Sequence, residues 1–251
     1  MKAALLALLL SAATNTLATP ADMTSLYDQD RQRTIPIAIT TPQQPNRCTK
    51  HQPCNVAFIS AGYGVPHQEY QFISKLLTAQ GYLSVAIRHE LESDPPLSVS
   101  GNLYQTRQEN WQRGAKTLRF VQKSLVKLLP NYDFNHVLLV GHSNGGDISS
   151  LLSNQGADFI SGLITLDHRR VPLPRKPQIN TLSIRASDFP ADHGVLYSKQ
   201  ELVDYGGCVI EIPKAKHNDM TDKGPSWLKQ SITKLLAGYL TNKSCEQLTS
   251  L

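Results

Sequence analysis

Short apolar runs bounded by Gly and Pro alternate with amphipathic stretches along most of this chain, and that alternation leaves few folds open. Strands are predicted at residues 34–40, 56–60, 82–87, 136–140, 160–166, 180–185 and 208–212. Between them, 68–80 carries Phe72, Ile73, Leu76 and Leu77 at helical spacing, with Gly81 placed to stop the turn. A longer helix presents Trp111, Ala115, Leu118, Gln122, Leu125 and Leu129 on one face before Pro130 ends it. Further helices are expected at 145–155 and at the end, where Trp227, Leu228, Ile232, Leu235, Leu236 and Tyr239 recur at the right intervals. A strand buried on both faces needs no polar alternation, so this pattern specifies an α/β fold: a mostly parallel sheet with helices on both faces. With 251 residues, 40% of them hydrophobic, there is apolar material for one sizeable core, and residues 19–251 read as a single domain.

The first residues follow a different rule. Met1 and Lys2 precede an apolar stretch from Ala3 to Leu10, and Ser11 to Ala18 turns small and polar. That order reads as a secretory signal peptide over residues 1–18, and the stretch is too short to span a bilayer. Export to the periplasm or the exterior brings an oxidising compartment, in which four Cys residues can form two disulfides. Local pairing, Cys48–Cys54 and Cys208–Cys245, is the simplest of three connectivities. A zinc site is the rival, but the chain has no C-x-x-C and no clustered Cys and His spacing, so no metal is expected. The net charge of +5 comes from 25 Lys and Arg against 20 Asp and Glu without a like-charged block, so nucleic acid is not an expected partner.

In a parallel sheet, reactive groups gather on loops at the carboxyl ends of strands. The loop after Val140 reads Gly141-His142-Ser143-Asn144-Gly145-Gly146, which fits G-x-S-x-G in a strand, sharp turn, helix context. Small residues there let the backbone turn tightly enough to expose Ser143 beside a helix N-terminus. Two further groups fall in the order Ser, acid, His. Asp188 follows the strand ending at Arg185, and His217 follows the strand ending near Ile212. A serine hydroxyl needs an imidazole to take its proton and a carboxylate to fix the imidazole tautomer, and this set supplies both. Asp192 is the alternative acid. Asp167 also follows a strand, but precedes the expected position. His89 and His168 are the fallback bases.

On these motifs the chain resembles the α/β-hydrolase family over essentially its whole mature length. The resemblance implies Ser143 as nucleophile, His217 as base and Asp188 as acid. It further implies an oxyanion hole built from the backbone N–H groups of Asn144 and Tyr63, in the loop Ser60-Ala61-Gly62-Tyr63-Gly64. Gly62, His142, Arg169 and Arg170 are the candidate substrate-contacting residues, the two arginines because four cationic side chains crowd residues 169–176. Only residues 167–179 separate two strands at the place where many members insert a helical cap, so no large cap domain is expected. The reading is an exported serine hydrolase that cleaves short-chain or soluble carboxylic esters, with no cofactor and a small-molecule ester as partner. A peptidase or amidase with the same triad, and a catalytically silent binding protein of this fold, are the alternatives.

Overall fold

The computed structural model describes residues 20–251; the expected signal peptide, residues 1–18, lies outside the described residues. Eight strands form one sheet: β1 (Ser25–Asp28), β2 (Arg33–Thr40), β3 (Cys54–Ser60), β4 (Leu83–Ile87), β5 (Tyr132–His142), β6 (Ile160–Leu166), β7 (Asn180–Arg185) and β8 (Cys208–Glu211). Their spatial order is β1-β2-β4-β3-β5-β6-β7-β8. From β4 to β8 every pairing is parallel, and β1 and β2 add an antiparallel edge. The helices are α1 (Gln71–Ala79), α2 (Leu103–Thr106), α3 (Gln108–Leu128), α4 (Asn144–Asn154), α5 (Lys199–Tyr205), α6 (Ser226–Leu240) and α7 (Cys245–Thr249). Sequence periodicity anticipates seven of the strands. It misses β1 and the three short helices α2, α5 and α7, each too brief to establish a period.

Alternate residues of the central strands enter two separate cores. Val56 and Phe58 of β3 and Val137 and Leu139 of β5 pack with Trp111, Leu118, Ile148 and Leu152, on the face covered by α3 and α4. Their neighbours Ala57, Ile59, Leu138 and Val140 pack with Ile73, Leu77, Leu228, Ile232 and Leu236, under α1 and α6. This is the period-two alternation of a strand buried on both sides, and it makes the sheet a rigid base for its carboxyl-end loops. Residues 167–179 carry no helix or strand, so the segment over that edge between β6 and β7 holds no cap.

Both local cysteine pairs form, Cys48–Cys54 across a separation of 6 and Cys208–Cys245 across 37. The second ties β8 to α7, whose Leu248 is buried. In the chain-entropy model the longer loop gives the larger effect, by about 1.5 kcal/mol for these two lengths. Replacing Cys208 and Cys245 by Ala should therefore lower the melting temperature more than replacing Cys48 and Cys54. Equal melting of the two variants would show that loop entropy is not what these bridges contribute.

Candidate active site

β5 ends at His142 and α4 begins at Asn144, so Ser143 alone makes the turn between them. Its φ of 51 and ψ of −121 are costly for a residue with a Cβ, on the order of 1–3 kcal/mol, and the surrounding bonds hold it there. The Ser143 amide donates to Leu166 O at 2.9 Å, and its carbonyl accepts from the amides of Gly146 and Asp147. Gly145 is required by contact: a Cβ there would lie 2.1 Å from the Ser60 carbonyl oxygen. The Asn144 side chain is buried and fully used. Its Nδ2 donates to Glu90 Oε1 at 2.7 Å and Asn110 Oδ1 at 2.8 Å, and its Oδ1 accepts from Trp111 Nε1 at 2.8 Å. Burial raises the Glu90 carboxyl above the ordinary carboxylate range, against the bonds from Asn144.

Ser143 Oγ stands 2.9 Å from His217 Nε2, as the sequence predicts. The acid is where sequence and structure part. His217 Nδ1 lies 2.5 Å from Asp167 Oδ2, and Asp188 is not its partner. Asp188 instead accepts the backbone N–H of His217 on both oxygens at 3.0 Å, so it supports the loop that carries the imidazole. Asp192 is ion-paired with Arg170 at the surface. The expectation that Asp188, or else Asp192, faces the imidazole is thus corrected. Asp167 is the first residue beyond β6, directly beside the strand that carries Ser143, and it is fully buried. Its Oδ1 accepts from Arg185 Nη2 at 2.7 Å and from the Ala186 amide at 3.1 Å. Arg185, at the end of β7, thereby fixes the carboxylate. A charged residue closing a strand buried on both faces was the signal for it.

The 60–64 loop reaches Ser143. A Cβ on Gly62 would lie 3.4 Å from Ser143 Cβ. The amides of Tyr63 and Asn144 donate to no acceptor among the described residues, whereas that of Gly62 donates to Tyr70 Oη at 3.0 Å. Tyr70 Oη is also 2.9 Å from His142 Nδ1, and His142 Nε2 is 3.0 Å from the His217 carbonyl oxygen. A carbonyl only accepts, so His142 donates from Nε2 and accepts at Nδ1, and Tyr70 donates to it. One chain of bonds therefore joins the 60–64 loop, the elbow and the backbone of His217. Burial, then the neighbouring His217, hold the His142 imidazole neutral, down to about 3. His142 is a bracing residue with no face left for substrate, which corrects its place among the substrate contacts.

The two fallback bases do not touch Ser143. His89 bonds Ser60 Oγ at 2.9 Å, and His168 is fully buried beneath Gly146. Arg169 Nε lies 3.8 Å from Asp167 Oδ2, while the Arg170 and Val171 amides both donate to Asp147 Oδ1 at 2.9 Å. A cavity of about 520 Å³ adjoins the loop, lined by Tyr63, Gly64, His67, Arg88, Glu90 and Leu91. It flanks Tyr63, and the Ser143, His217 and Asp167 side chains are not in its wall.

The chain matches no protein-family model and no curated protein sequence. Solved structures do match it. Esterase 2 of Thermogutta terrifontis with propionate bound is 10% identical, with a TM-score of 0.64 over 88% of this chain and 94% of that one. The same esterase phosphonylated by cyclosarin gives 10%, 0.62, 88% and 93%. An S-formylglutathione hydrolase from Agrobacterium tumefaciens is 11% identical, with a TM-score of 0.60 over 89% and 94% of the two chains. This protein has the α/β-hydrolase fold.

Proposed function

We propose that this protein is a serine hydrolase that cleaves carboxylic esters. The observation that carries the reading is the line from Ser143 Oγ through His217, 2.9 Å on one side and 2.5 Å on the other, to the buried Asp167. Asp167 accepts a hydrogen bond from the Nδ1–H of His217, which leaves Nε2 unprotonated as the acceptor for the serine proton. Ser143 then attacks the acyl carbon. The tetrahedral oxyanion forms at the N-terminus of α4, where the Asn144 and Tyr63 amides are placed to donate to it, each such donor being worth about 3 kcal/mol. His217 returns its proton to the departing alcohol, and water clears the acyl-enzyme by the same steps in reverse roles.

An uncapped site suits a small or soluble ester better than a lipid surface, and the esterase and hydrolase neighbours agree with this substrate class. Export is part of the proposal. It is supported by the two disulfides and by the leader read in the sequence. No helix among the described residues is long and apolar enough to cross a membrane.

Incubation with a fluorophosphonate probe tests the nucleophile. Wild type should be labelled covalently and Ser143→Ala should not, while both melt alike, since the elbow needs only a small side chain. Equal labelling of the two, or none of wild type, would end the assignment. Turnover of 4-nitrophenyl esters of increasing acyl length then reports the substrate class.

A further inference from the structure

The cavity of about 520 Å³ that flanks Tyr63 has no part in the proton transfers at Ser143, but it is built against the same loops. Its wall comes from residues 63–68 and 88–92, which follow β3 and β4, with Pro36 of β2 behind them. β3 is the neighbour of β5, the strand that ends just before Ser143, and β4 is one further out, so the two loops stand about 5 Å and about 10 Å across the sheet from it. Two wall residues tie the cavity to Ser143. Tyr63 follows Gly62, whose Cβ position is 3.4 Å from Ser143 Cβ. Glu90 Oε1 accepts from Nδ2 of Asn144, the residue next to the serine, at 2.7 Å.

The wall has more polar capacity than the protein uses. His67 is only 5% exposed, and neither ring nitrogen completes a hydrogen bond among the described residues, although the Ile37 carbonyl is close enough to favour its proton. Burial is the larger effect and holds the imidazole towards its neutral form, with one donor and one acceptor to offer. A buried polar group left unmet is costly, and a ligand that bonds it removes that cost. Arg88 uses Nε for the Glu90 carbonyl at 2.9 Å, and its Nη groups have no acceptor among the described residues. Glu92 makes no ion pair there, and both side chains are exposed.

The wall's chemistry selects a ligand class. Its charged groups are Arg88, Glu90 and Glu92, so an anion meets two carboxylates and a cation meets a guanidinium. A hydroxyl both donates and accepts, and so suits all three of these groups and either nitrogen of His67. The exposed Tyr63 ring, with Val65 and Leu91, adds an apolar face for the C–H side of a ring. The volume is ordinary for a small-molecule site.

We propose that this cavity is the subsite for the alcohol part of the substrate, and that this alcohol is an uncharged, polyhydroxylated ring of the sugar kind. The proposal rests on the hydrolase reading. The acyl group passes from the sugar oxygen, which takes its proton from His217, to Ser143 Oγ and then to water, leaving the free sugar and a carboxylic acid.

Acetate release from 6-O-acetylglucose, hexyl acetate and acetylcholine tests this with one acyl group throughout. The sugar ester should have the highest kcat/KM, by about tenfold or more. Arg88→Gln, Glu92→Gln and His67→Gln should each reduce that preference about fivefold or more, through KM, the first two at exposed positions where folding is not at stake. Saturation-transfer NMR on Ser143→Ala should show the ring protons of 6-O-acetylglucose in contact with the protein, less so when Arg88→Gln or Glu92→Gln is added. Turnover of hexyl acetate or acetylcholine as efficient as that of the sugar ester overturns the ligand class. A sugar preference that survives all three substitutions overturns the cavity as its place. Sugar contact that the added substitutions remove, with no ester turned over by wild type, keeps the subsite and rejects the hydrolase reading; neither contact nor turnover rejects both.

Discussion

Asp167→Asn is expected to lower turnover by about 10⁴-fold, because the amide offers the imidazole the wrong partner and favours the tautomer that cannot take the serine proton. The substitution is clean in its backbone. Asp167 has a φ of 48, a left-handed conformation that Asn tolerates about as well as Asp. It is less clean in its electrostatics, since Arg185 loses its buried counter-charge at 2.7 Å, and breaking such a pair costs about 3–5 kcal/mol of stability. The kinetic comparison therefore belongs at a temperature where the variant is folded, as judged by circular dichroism. Asp188→Asn keeps an acceptor oxygen for the His217 amide and should change turnover less than about tenfold. Asp192→Asn breaks only a surface pair with Arg170, worth about 0–1 kcal/mol. A large loss in Asp188→Asn with none in Asp167→Asn would return the acid to the position the sequence suggested.

The reason the sequence pointed to Asp188 is instructive in physical terms. The turn at Ser143 and the placement of His217 opposite it were legible because each sits in a local context: a strand end, a tight turn forced by small residues, a helix start. The acid has no such local signature. Asp167 and Asp188 both follow strands that are neighbours in the sheet, and both reach His217, one at Nδ1 and the other at the backbone amide. Which carboxylate meets the ring depends on the Arg185 contact and on how the 212–217 segment is tied down, as by the Ser187 amide to the Ala215 carbonyl. Those are long-range pairings with no periodicity to announce them. The same holds for Tyr70 and His142, which sit 72 positions apart and have meaning only once α1 is packed against the elbow. Secondary structure was readable wherever a period ran long enough, as in α3 and α6. It was not readable for β1, whose four residues form only by pairing with β2.

The protein is also expected to lose stability steeply below pH 6.5. His89, His142 and His168 are buried, and burial first, then the charges of Arg33, His217 and Arg185 respectively, hold each imidazole down to about 3. In the unfolded chain each would take a proton near 6.5, so between pH 6.5 and 3 the unfolded state binds three more protons at these sites. Stability present above pH 6.5 is then lost as pH falls, at about 4 kcal/mol per pH unit from the three together. Two groups work the other way. Burial raises Asp147 to about 6, against the amides of Val171 and Arg170, so below that pH it is protonated earlier in the folded protein than in the unfolded chain. Glu90, also raised by burial, acts in the same direction as Asp147. The three imidazoles less Asp147 leave a net slope of at most about 2.7 kcal/mol per unit between pH 6 and 4, which Glu90 lowers further, against a total stability of about 5–15 kcal/mol for a domain. Urea unfolding followed by tryptophan fluorescence at closely spaced pH values measures this slope. His89→Gln, which removes one proton from the difference, should flatten the curve, and Asp147→Asn, which removes the opposing group, should steepen it. A stability that stays level from pH 6.5 to 4.5 would mean that these imidazoles find protons in the folded state, and the neutral His142 that braces the base would have to be abandoned with them.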